Sequence, residues 1–561
     1  MNNYLSTQDY IVFLIYFVIV ASYGLWVYYK KNVKTEGTES KDYFLAEGSL
    51  TWWAIGASLI ASNISAEQFI GMSGSGFKMG LAIATYEWMA AITLIVVAIF
   101  FIPVYLKNKI FTMPQFLNQR YNGTVAMIMA VFWLMLYVVV NLTSILYLGA
   151  LAVSSISGIS LTFCMYAIAV FAIIITLGGM KVIGYTDVIQ VFFLILGGLA
   201  TTYLALSLVS DHFGGGGGIL QGYQIMTDKA SEHFHMILKP ENENYLDLPG
   251  LTVLVGGMWI VNLNYWGCNQ YITQRALGAD LKTARNGILF AAFLKLLMPI
   301  IVVIPGIAAY VLWKDGLFQQ EMLQAGETNP DRAYPVLLNL LPTGLKGLSF
   351  AALTAAVVAS LAGKANSIAT IFSLDVYKKV FNKDASERQL VNVGKITIIV
   401  SMILAVIIAP HLGIDKKGGF QYIQEYTGFV SPGIFAMFIL GFFWKKTTSN
   451  AALFATIGGF LFSIFFKFLP GYVDLSFLSS MNFSVLSPAS GLYEIPFLDR
   501  MGFVFIICII GMIIISKIEN ARGVVPKGLE IDVKMFKMHP GFIAGALIVT
   551  FITIALYTIY W

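Results

Sequence analysis

The sequence predicts an all-α polytopic membrane protein with about fourteen transmembrane helices, taking ~20 apolar residues as one span. Three observations carry that prediction. The chain has 561 residues, of which 58% are hydrophobic and only 12% charged. That lies outside the usage of soluble globular domains. Apolar runs of spanning length recur from one end to the other. Two of those runs are interrupted by polar residues, and they stand five spans apart.

The runs fall at 8–29, 51–76, 80–105, 122–152, 160–179, 184–209, 248–275, 283–313, 345–379, 391–412, 420–443, 449–470, 501–517 and 541–560. The start, MNNYLSTQD, lacks the basic region of a signal peptide, so the first run is expected to stay as an anchor. Basic residues set the orientation. Lys30, Lys31 and Lys34 follow the first run; Lys107, Lys109 and Arg120 follow the third; Arg275, Lys282 and Arg285 follow the seventh. Lys378, Lys379, Lys383 and Arg388 follow the ninth, Lys445 and Lys446 the eleventh, and Lys517 to Lys537 precede the last. Alternating spans put all of these on one side, the cytoplasmic one, and both termini outside. The expected location is a cell inner (plasma) membrane, with lipids as the surrounding partner.

The net charge of +5 is small, so no nucleic-acid partner is expected, and no obligate protein partner is evident. Three cysteines in or beside apolar segments, Cys164, Cys268 and Cys508, make neither a disulfide framework nor a metal cluster. The five glycines at Gly214–Gly218 lack the Lys-Ser/Thr of a phosphate loop and read as a connector. His212, His233 and His235 are too irregularly placed for zinc.

The first interrupted run, 51–76, carries Ser62-Asn63-Ile64-Ser65-Ala66-Glu67-Gln68 at its middle. A carboxylate and two amides at membrane depth need internal partners or a water-filled cavity. Ser, Asn and the later glycines weaken the helix, so unwinding is expected there, where irregular backbone must be buried or line a cavity. The second run, 248–275, is interrupted at Asn262-Leu263-Asn264-Tyr265-Trp266-Gly267-Cys268-Asn269-Gln270. Paired discontinuous helices in corresponding positions of two halves point to a midplane site in a transporter. Five is odd, so the second half is inverted. The chain divides into 1–50, an extra helix and cytoplasmic linker; 51–210, a first five-helix repeat; 211–247, an outer loop; 248–443, a second five-helix repeat; and 444–561, three accessory helices.

A few polar groups interrupt other apolar runs. Gln68, Glu87, Asn262, Lys295 and Gln424 together offer carboxylate, ammonium and amide groups. A neutral polyhydroxylated solute needs that mixture, because every hydroxyl both donates and accepts. Tyr86, Tyr265, Trp266 and Phe420 are aromatic neighbours able to stack on a sugar ring or close a site. Asn141 reads as an interhelical hydrogen bond, and Asp187 as a residue near a helix end, where capping is an ordinary role.

At these positions the stretches WWAIGASLIASNISAEQFIGMSGSG, TYEWMA, VNLTSILYLG, TDVIQVFFL, NYWGCNQYITQR, AAFLKL, ANSIATIFSLDVYK and FQYIQEYTGFVSPG resemble the solute:sodium symporter family. The likeness runs from the first span to at least Lys446. It implies a five-plus-five inverted-repeat fold with alternating access, and secondary active import of a hexose-like sugar (galactose- or glucose-like) coupled to sodium. By matched position it implies sugar contacts from Gln68, Glu87, Asn262, Lys295 and Gln424. Tyr265 becomes an inner gate stacked on the sugar with Asn63 nearby, and Met72, Tyr86 and Phe420 an outer gate. The implied sodium ligands are the carbonyls of Ala61, Ile64 and Ala356 and the hydroxyl of Ser360, with Asp187 on the exit route. Ala356 and Ser360 are four apart, on one helical face.

Two departures stand out against the sugar-carrying members. Ala90 replaces a serine and Asn264 a tyrosine in the sugar site, which leaves galactose, glucose and inositol open. At the ion site Ala359 replaces a serine, and Lys364 stands where an uncharged residue is usual. Lys364 lies four residues past Ser360 on the same face. Its ammonium is expected at or near the sodium position, making the transporter sodium-independent or proton-linked, or else snorkelling to water or pairing with Asp187. No organic cofactor is implied. An intramembrane enzyme would need a His-Glu-x-x-His motif or a nucleophile–base pair, and none is present. A sugar sensor that binds without transporting is the other alternative.

Overall fold

The computed structural model describes residues 5–30, 50–177, 179–324, 326–411 and 419–561. Lys31, Lys34 and the linker assigned to 31–49 lie outside them. Among the described residues strand is confined to two short antiparallel pairs, Leu323–Gln324 with Glu327–Thr328 and Val485–Leu486 with Tyr493–Glu494. The rest of the regular structure is helical.

In chain order the helices that position the site are α1 (Thr7–Lys30), α2 (Trp52–Asn63), α3 (Ser73–Met79), α4 (Thr85–Val96) and α5 (Gly123–Met135). There follow α6 (Thr143–Ser157), α7 (Leu161–Thr176), α8 (Gly179–Gly214), α9 (Gly257–Gly267), α10 (Leu281–Lys314), α11 (Leu345–Thr370) and α12 (Glu387–Ile408). The last are α13 (Gly419–Gly428), α14 (Ser431–Phe443), α15 (Gly459–Phe468), α16 (Phe497–Ala521) and α17 (Pro540–Ile559). Among the described residues nine helical runs are long and apolar enough to span a bilayer, and α13 with α14, bent by 52°, makes a tenth. One of the nine, Glu67–Lys107, counts 41 residues. At 1.5 Å per residue that is about 60 Å, twice a bilayer's apolar thickness. Gly80 divides it. Its φ of +71° suits glycine alone, and a Cβ there would sit 2.3 Å from the His233 carbonyl oxygen. The break between the second and third apolar runs therefore falls where the sequence places it.

The contacts divide the chain into two units. The first comprises residues 1–87, 134–235 and 286–423. Within it α8 packs on α1, α2 and α11, and α11 also meets α6 and α7. The α11 helix is buried along most of its length. Asp9, at the start of α1, accepts the Gly344 and Gly347 amides at 2.8 and 3.0 Å, satisfying donors at the N-terminus of α11.

The second unit comprises residues 88–133, 236–285 and 424–561. Arg120, 1% exposed, is among its most deeply placed charges. The guanidinium donates to the carbonyls of Gly441 at 2.7 Å, Trp444 at 2.9 Å and Thr447 at 3.1 Å, and to that of Lys527. These include orphan acceptors at the C-terminal end of α14, where a cation is favoured by the helix dipole.

The second interruption falls at the far end of its expected stretch, and a further one precedes it. Asn262 to Gly267 lie inside α9. The chain leaves helical geometry at Gly256, φ −127° and ψ −114°, and again at Cys268 and Asn269 before helix resumes at Gln270. Asn262 does not break the helix because its amide donates to the Met258 carbonyl one turn back, at 3.2 Å. The Gly267 carbonyl, freed at the end of α9, accepts the Tyr105 hydroxyl at 2.6 Å.

Candidate functional site

The first unit contains the predicted break. α2 ends at Asn63, and Ile64 is extended, with φ −76° and ψ 91°. Helix resumes as a π-helical segment, Glu67–Met72, continuous with α3. Gln68 folds its side-chain oxygen back onto the Ser65 amide at 3.3 Å, while the Glu67 amide donates to the Ser65 hydroxyl at 3.1 Å. Side-chain groups thus take over where backbone ladder bonds are lost. The polar residues that break the helix also satisfy it.

Three predicted residues meet at this break. The Lys295 ammonium on α10 donates to the Glu87 carboxylate on α4 at 2.5 Å and to the side-chain oxygen of Asn63. The Lys295 and Glu87 side chains are 1% and 3% exposed. A dry ion pair is tolerated only when each charge is matched. Gln68 is buried on the adjoining turn. Tyr86, beside Glu87, packs edge-on against Phe420 with ring centroids 5.0 Å apart. That contact needs Gly71: a Cβ there would lie 2.9 Å from the Phe420 amide nitrogen. Met72, next along, is fully buried. Tyr86 and Phe420, two of the three residues expected to form an outer gate with Met72, are thus in contact.

Of the expected ion ligands, Ala61 and Ser360 are brought together. The Ser360 hydroxyl on α11 donates to the carbonyls of Ala61 at 3.3 Å and Ser62 at 3.0 Å. Ile64 and Ala356 are buried, and Ala359 offers no side-chain oxygen. The unwound turn and α11 thus meet at Ser360 through oxygen atoms.

Two expectations are corrected. Asp187 lies inside α8, not at its end. Its carboxylate accepts the Ser58 hydroxyl of α2 at 2.6 Å, so capping is not its role. Ser58, Ser62 and Ser65 form a small polar stripe on this stretch, which is the sequence signal for that partner. Lys364 does not snorkel: it is 3% exposed, and its ammonium donates to the Asn141 side chain at 3.0 Å. Asn141 is thereby an interhelical hydrogen-bond partner, as its sequence setting predicts. The hydroxyl on the Ala61 carbonyl is Ser360's.

The remaining predicted residues belong to the second unit. Asn262 is buried on α9. Asn264 donates to the Ser431 hydroxyl at 3.1 Å, while its own side-chain oxygen is buried without a hydrogen bond. Tyr265 is half-buried, its ring edge-on to Trp266 at 5.1 Å. Gln424 is half-buried on α13. Next to it Glu425 pairs with Lys467 at 2.6 Å and Arg500 at 3.0 Å, a structural use the sequence did not reveal. Ala90, also in this unit, is buried. Among the described residues no group of three His, Cys, Asp or Glu side chains is placed to hold a metal.

A helical membrane protein with a dry ion pair and freed backbone at a mid-helix break defines a carrier of small solutes. The family model for the sodium:solute symporter family matches residues 43–459. The sodium/glucose cotransporter of Vibrio parahaemolyticus is 46% identical over 99% of this chain and 99% of its own. The human sodium/myo-inositol cotransporter 2 is 33% identical over 82% of this chain and 70% of its own. The chain belongs to the sodium:solute symporter family. Among solved structures a Na+-coupled sialic acid symporter in its substrate-bound outward-open state shares the fold, with a TM-score of 0.75 over 93% of this chain and 100% of that one, at 23% identity.

Proposed function

We propose that the protein imports a hexose-like sugar across the plasma membrane by alternating access, with sodium as the coupling ion. The carrying observation is the Asn63–Glu87–Lys295 network at the helix break. It presents an ammonium, a carboxylate and an amide in one dry place, which answers both the donors and the acceptors of a sugar hydroxyl. Gln68, Asn262, Tyr265 and Gln424 are the further sugar contacts that the family resemblance implies. Tyr265 serves as the inner gate, and Met72, Tyr86 and Phe420 as the outer. The relative at 46% identity, named as a sodium/glucose cotransporter, supports a sugar. A polyol such as inositol is the second reading, favoured by Ala90, by the unpartnered Asn264 oxygen and by the inositol cotransporters among the relatives.

Sodium travels as cargo. The carbonyls of Ala61, Ile64 and Ala356 and the Ser360 hydroxyl hold it, bridging the end of α2 to α11, and Asp187 lies on its way out. Binding free energy shared between the two cargoes couples them, so sugar tightens sodium and sodium tightens sugar. Residues 51–210 and 248–443 act as inverted repeats within about fourteen spans, the span length being ~20 residues, with both termini outside. Counterflow of labelled glucose in proteoliposomes, challenged in turn by galactose, glucose and inositol, identifies the solute. Absence of counterflow with all three removes the transport reading and leaves a sensor.

A further inference from the structure

Asp331 is a buried carboxylate of the first unit that the sugar and sodium sites leave unused. It lies in the turn Pro330–Arg332, between α10 and α11. The Asn329 side chain accepts the Asp331 amide at 2.9 Å, and the Asn329 carbonyl accepts the Arg332 amide at 3.1 Å, so the turn fixes where the carboxyl sits. That carboxyl joins two other elements. Its Oδ2 accepts the amide of Gly419, the first residue of α13, at 2.8 Å. The first N–H groups of a helix have no partner within it, and Asp331 supplies one from outside. Its Oδ1 is pressed on Gly74 of α3 and is buried without a hydrogen bond. A Cβ on Gly74 would lie 2.9 Å from the Asp331 amide nitrogen and closer still to Oδ1, so the approach needs glycine there.

What Asp331 holds is the turn that carries Phe420. Phe420 follows Gly419 directly, packs on Gly71 and meets Tyr86 edge-on. The Gln421 amide group donates to the Met79 sulfur at 3.8 Å. Gly71, Ser75 and Met79 recur every four residues on one face of the second half of the broken helix. The first turn of α13 therefore lies along that face, and Ser75, between the two contacts, is 6% exposed. Separating Phe420 from Tyr86 requires this turn to lift, which breaks the Gly419 hydrogen bond. Of the attachments named, only the one through Asp331 can gain or lose a charge.

We propose that Asp331 is a positioning residue that latches the outer gate: its carboxyl holds the first turn of α13, and with it Phe420, down on the second half of the broken helix, and the gate opens when that hold is released. This rests on the reading of Met72, Tyr86 and Phe420 as the outer gate.

The latch is sensitive to protons. In the closed arrangement burial pushes the Asp331 carboxyl up to about 7, opposed by the Gly419 hydrogen bond. Once the turn lifts and water reaches it, the carboxyl returns toward its ordinary value of about 4. Latching thus takes up a proton, and opening grows with pH between these two values and levels off above about 7. The charged and titratable groups on the elements packed here are Glu67, Lys78, Arg332, Tyr334, Tyr422 and Glu425. Lys78 is exposed, Arg332 donates to the Leu323 carbonyl, Tyr334 packs on Phe69, and Glu425 pairs with Lys467 and Arg500. Among the described residues, burial and the Gly419 bond set the Asp331 carboxyl; Asp415, Lys416 and Lys417, just before α13, lie outside them.

The test uses full-length protein in lipid nanodiscs, with Ser75→Cys as reporter and a polar thiol reagent. Where opening and closing are fast, labelling tracks the open fraction. Asp331→Asn keeps an oxygen for the Gly419 amide but cannot ionise, and it corrects for the reagent's own pH dependence. Asp331→Ala removes the acceptor, and Gly74→Ala displaces the carboxyl without altering it. At pH 5.5 Asp331→Ala should be labelled about three- to tenfold faster than Asp331→Asn, and Gly74→Ala faster than wild type by a similar factor, the weight of one net hydrogen bond. The ratio of wild type to Asp331→Asn should rise about five- to twentyfold from pH 5.5 to 7.5 and level off above. Cys164, Cys268 and Cys508 are buried and should stay unlabelled without Ser75→Cys. A variant in which they react is unfolded and drops out, and the pH ratio then decides. Alanine variants labelled no faster than their references overturn the latch, as does a ratio of wild type to Asp331→Asn that is flat with pH. Labelling needs no sugar, so absent counterflow would remove the transport reading and leave these rates standing.

Discussion

Replacing Lys295 by methionine tests the network at the helix break. The ammonium and the Glu87 carboxylate are 2.5 Å apart, with side chains 1% and 3% exposed. At an effective dielectric of about 20 the gross attraction is about 6 to 7 kcal/mol. Desolvating two ions costs several kcal/mol each, so the intact pair contributes little net stability. Removing one partner is another matter, because Glu87 is left charged, buried and without its ammonium. Lys295→Met should therefore destabilise the protein by about 3–5 kcal/mol. Glu87→Gln/Lys295→Met, with no charge left to desolvate, should recover to within about 1–2 kcal/mol of wild type. Thermal unfolding in detergent followed by tryptophan fluorescence gives the ordering. Both variants should lose sugar counterflow, since the donor and acceptor are gone in each. A double variant as unstable as the single one would refute the paired-charge reasoning.

Three further outcomes are expected. Ser360→Ala removes the hydroxyl joined to the Ala61 and Ser62 carbonyls; a net bond of about 1 kcal/mol or somewhat more should raise the sodium needed for half-maximal thermal stabilisation about five- to tenfold. Asp331, in the loop between α10 and α11, accepts the Gly419 amide at 2.8 Å, and its Oδ1 is buried against Gly74 without a hydrogen bond. Burial pushes its carboxyl up to about 7, against the Gly419 hydrogen bond, which lowers it. The folded state thus binds a proton the unfolded chain releases near 4. That stability is complete below the unfolded value and lost as pH rises through about 7, a change of about 2 kcal/mol between pH 5.5 and 8. Asp331→Asn should remove this component, read as a smaller pH-dependent shift in unfolding temperature. Arg120→Ala removes the hydrogen bonds that tie the carbonyls of Gly441, Trp444, Thr447 and Lys527 together; it should cost about 3 kcal/mol or more and lower the yield of folded protein.

The break at Ile64 was legible because Ser, Asn and Glu sit where a spanning helix cannot leave them unsatisfied. The residues of the Asn63–Glu87–Lys295 network were legible singly, as charges in apolar runs, and their mutual pairing was not: it depends on three helices far apart in sequence. Asn262 marked the right stretch but not the point of failure within it. Its side chain bonds to the turn before it, at Met258; the geometry fails at the far end of the polar run, at Cys268 and Asn269, and ahead of it at Gly256. Asp187 misled because a helix boundary read from composition drifts by several residues. The Asn141 partner of Lys364 was hidden because side-chain reach on a helix can be projected from spacing along one face, whereas Asn141 approaches from another element.

A sugar-bound structure in lipid nanodiscs tests the central claim most directly. The expected result is density for the sugar at the helix break, with hydroxyls within about 3 Å of the Lys295 ammonium and the Glu87 carboxylate. Sugar density elsewhere, with the Asn63–Glu87–Lys295 network closed as it is here, would contradict it.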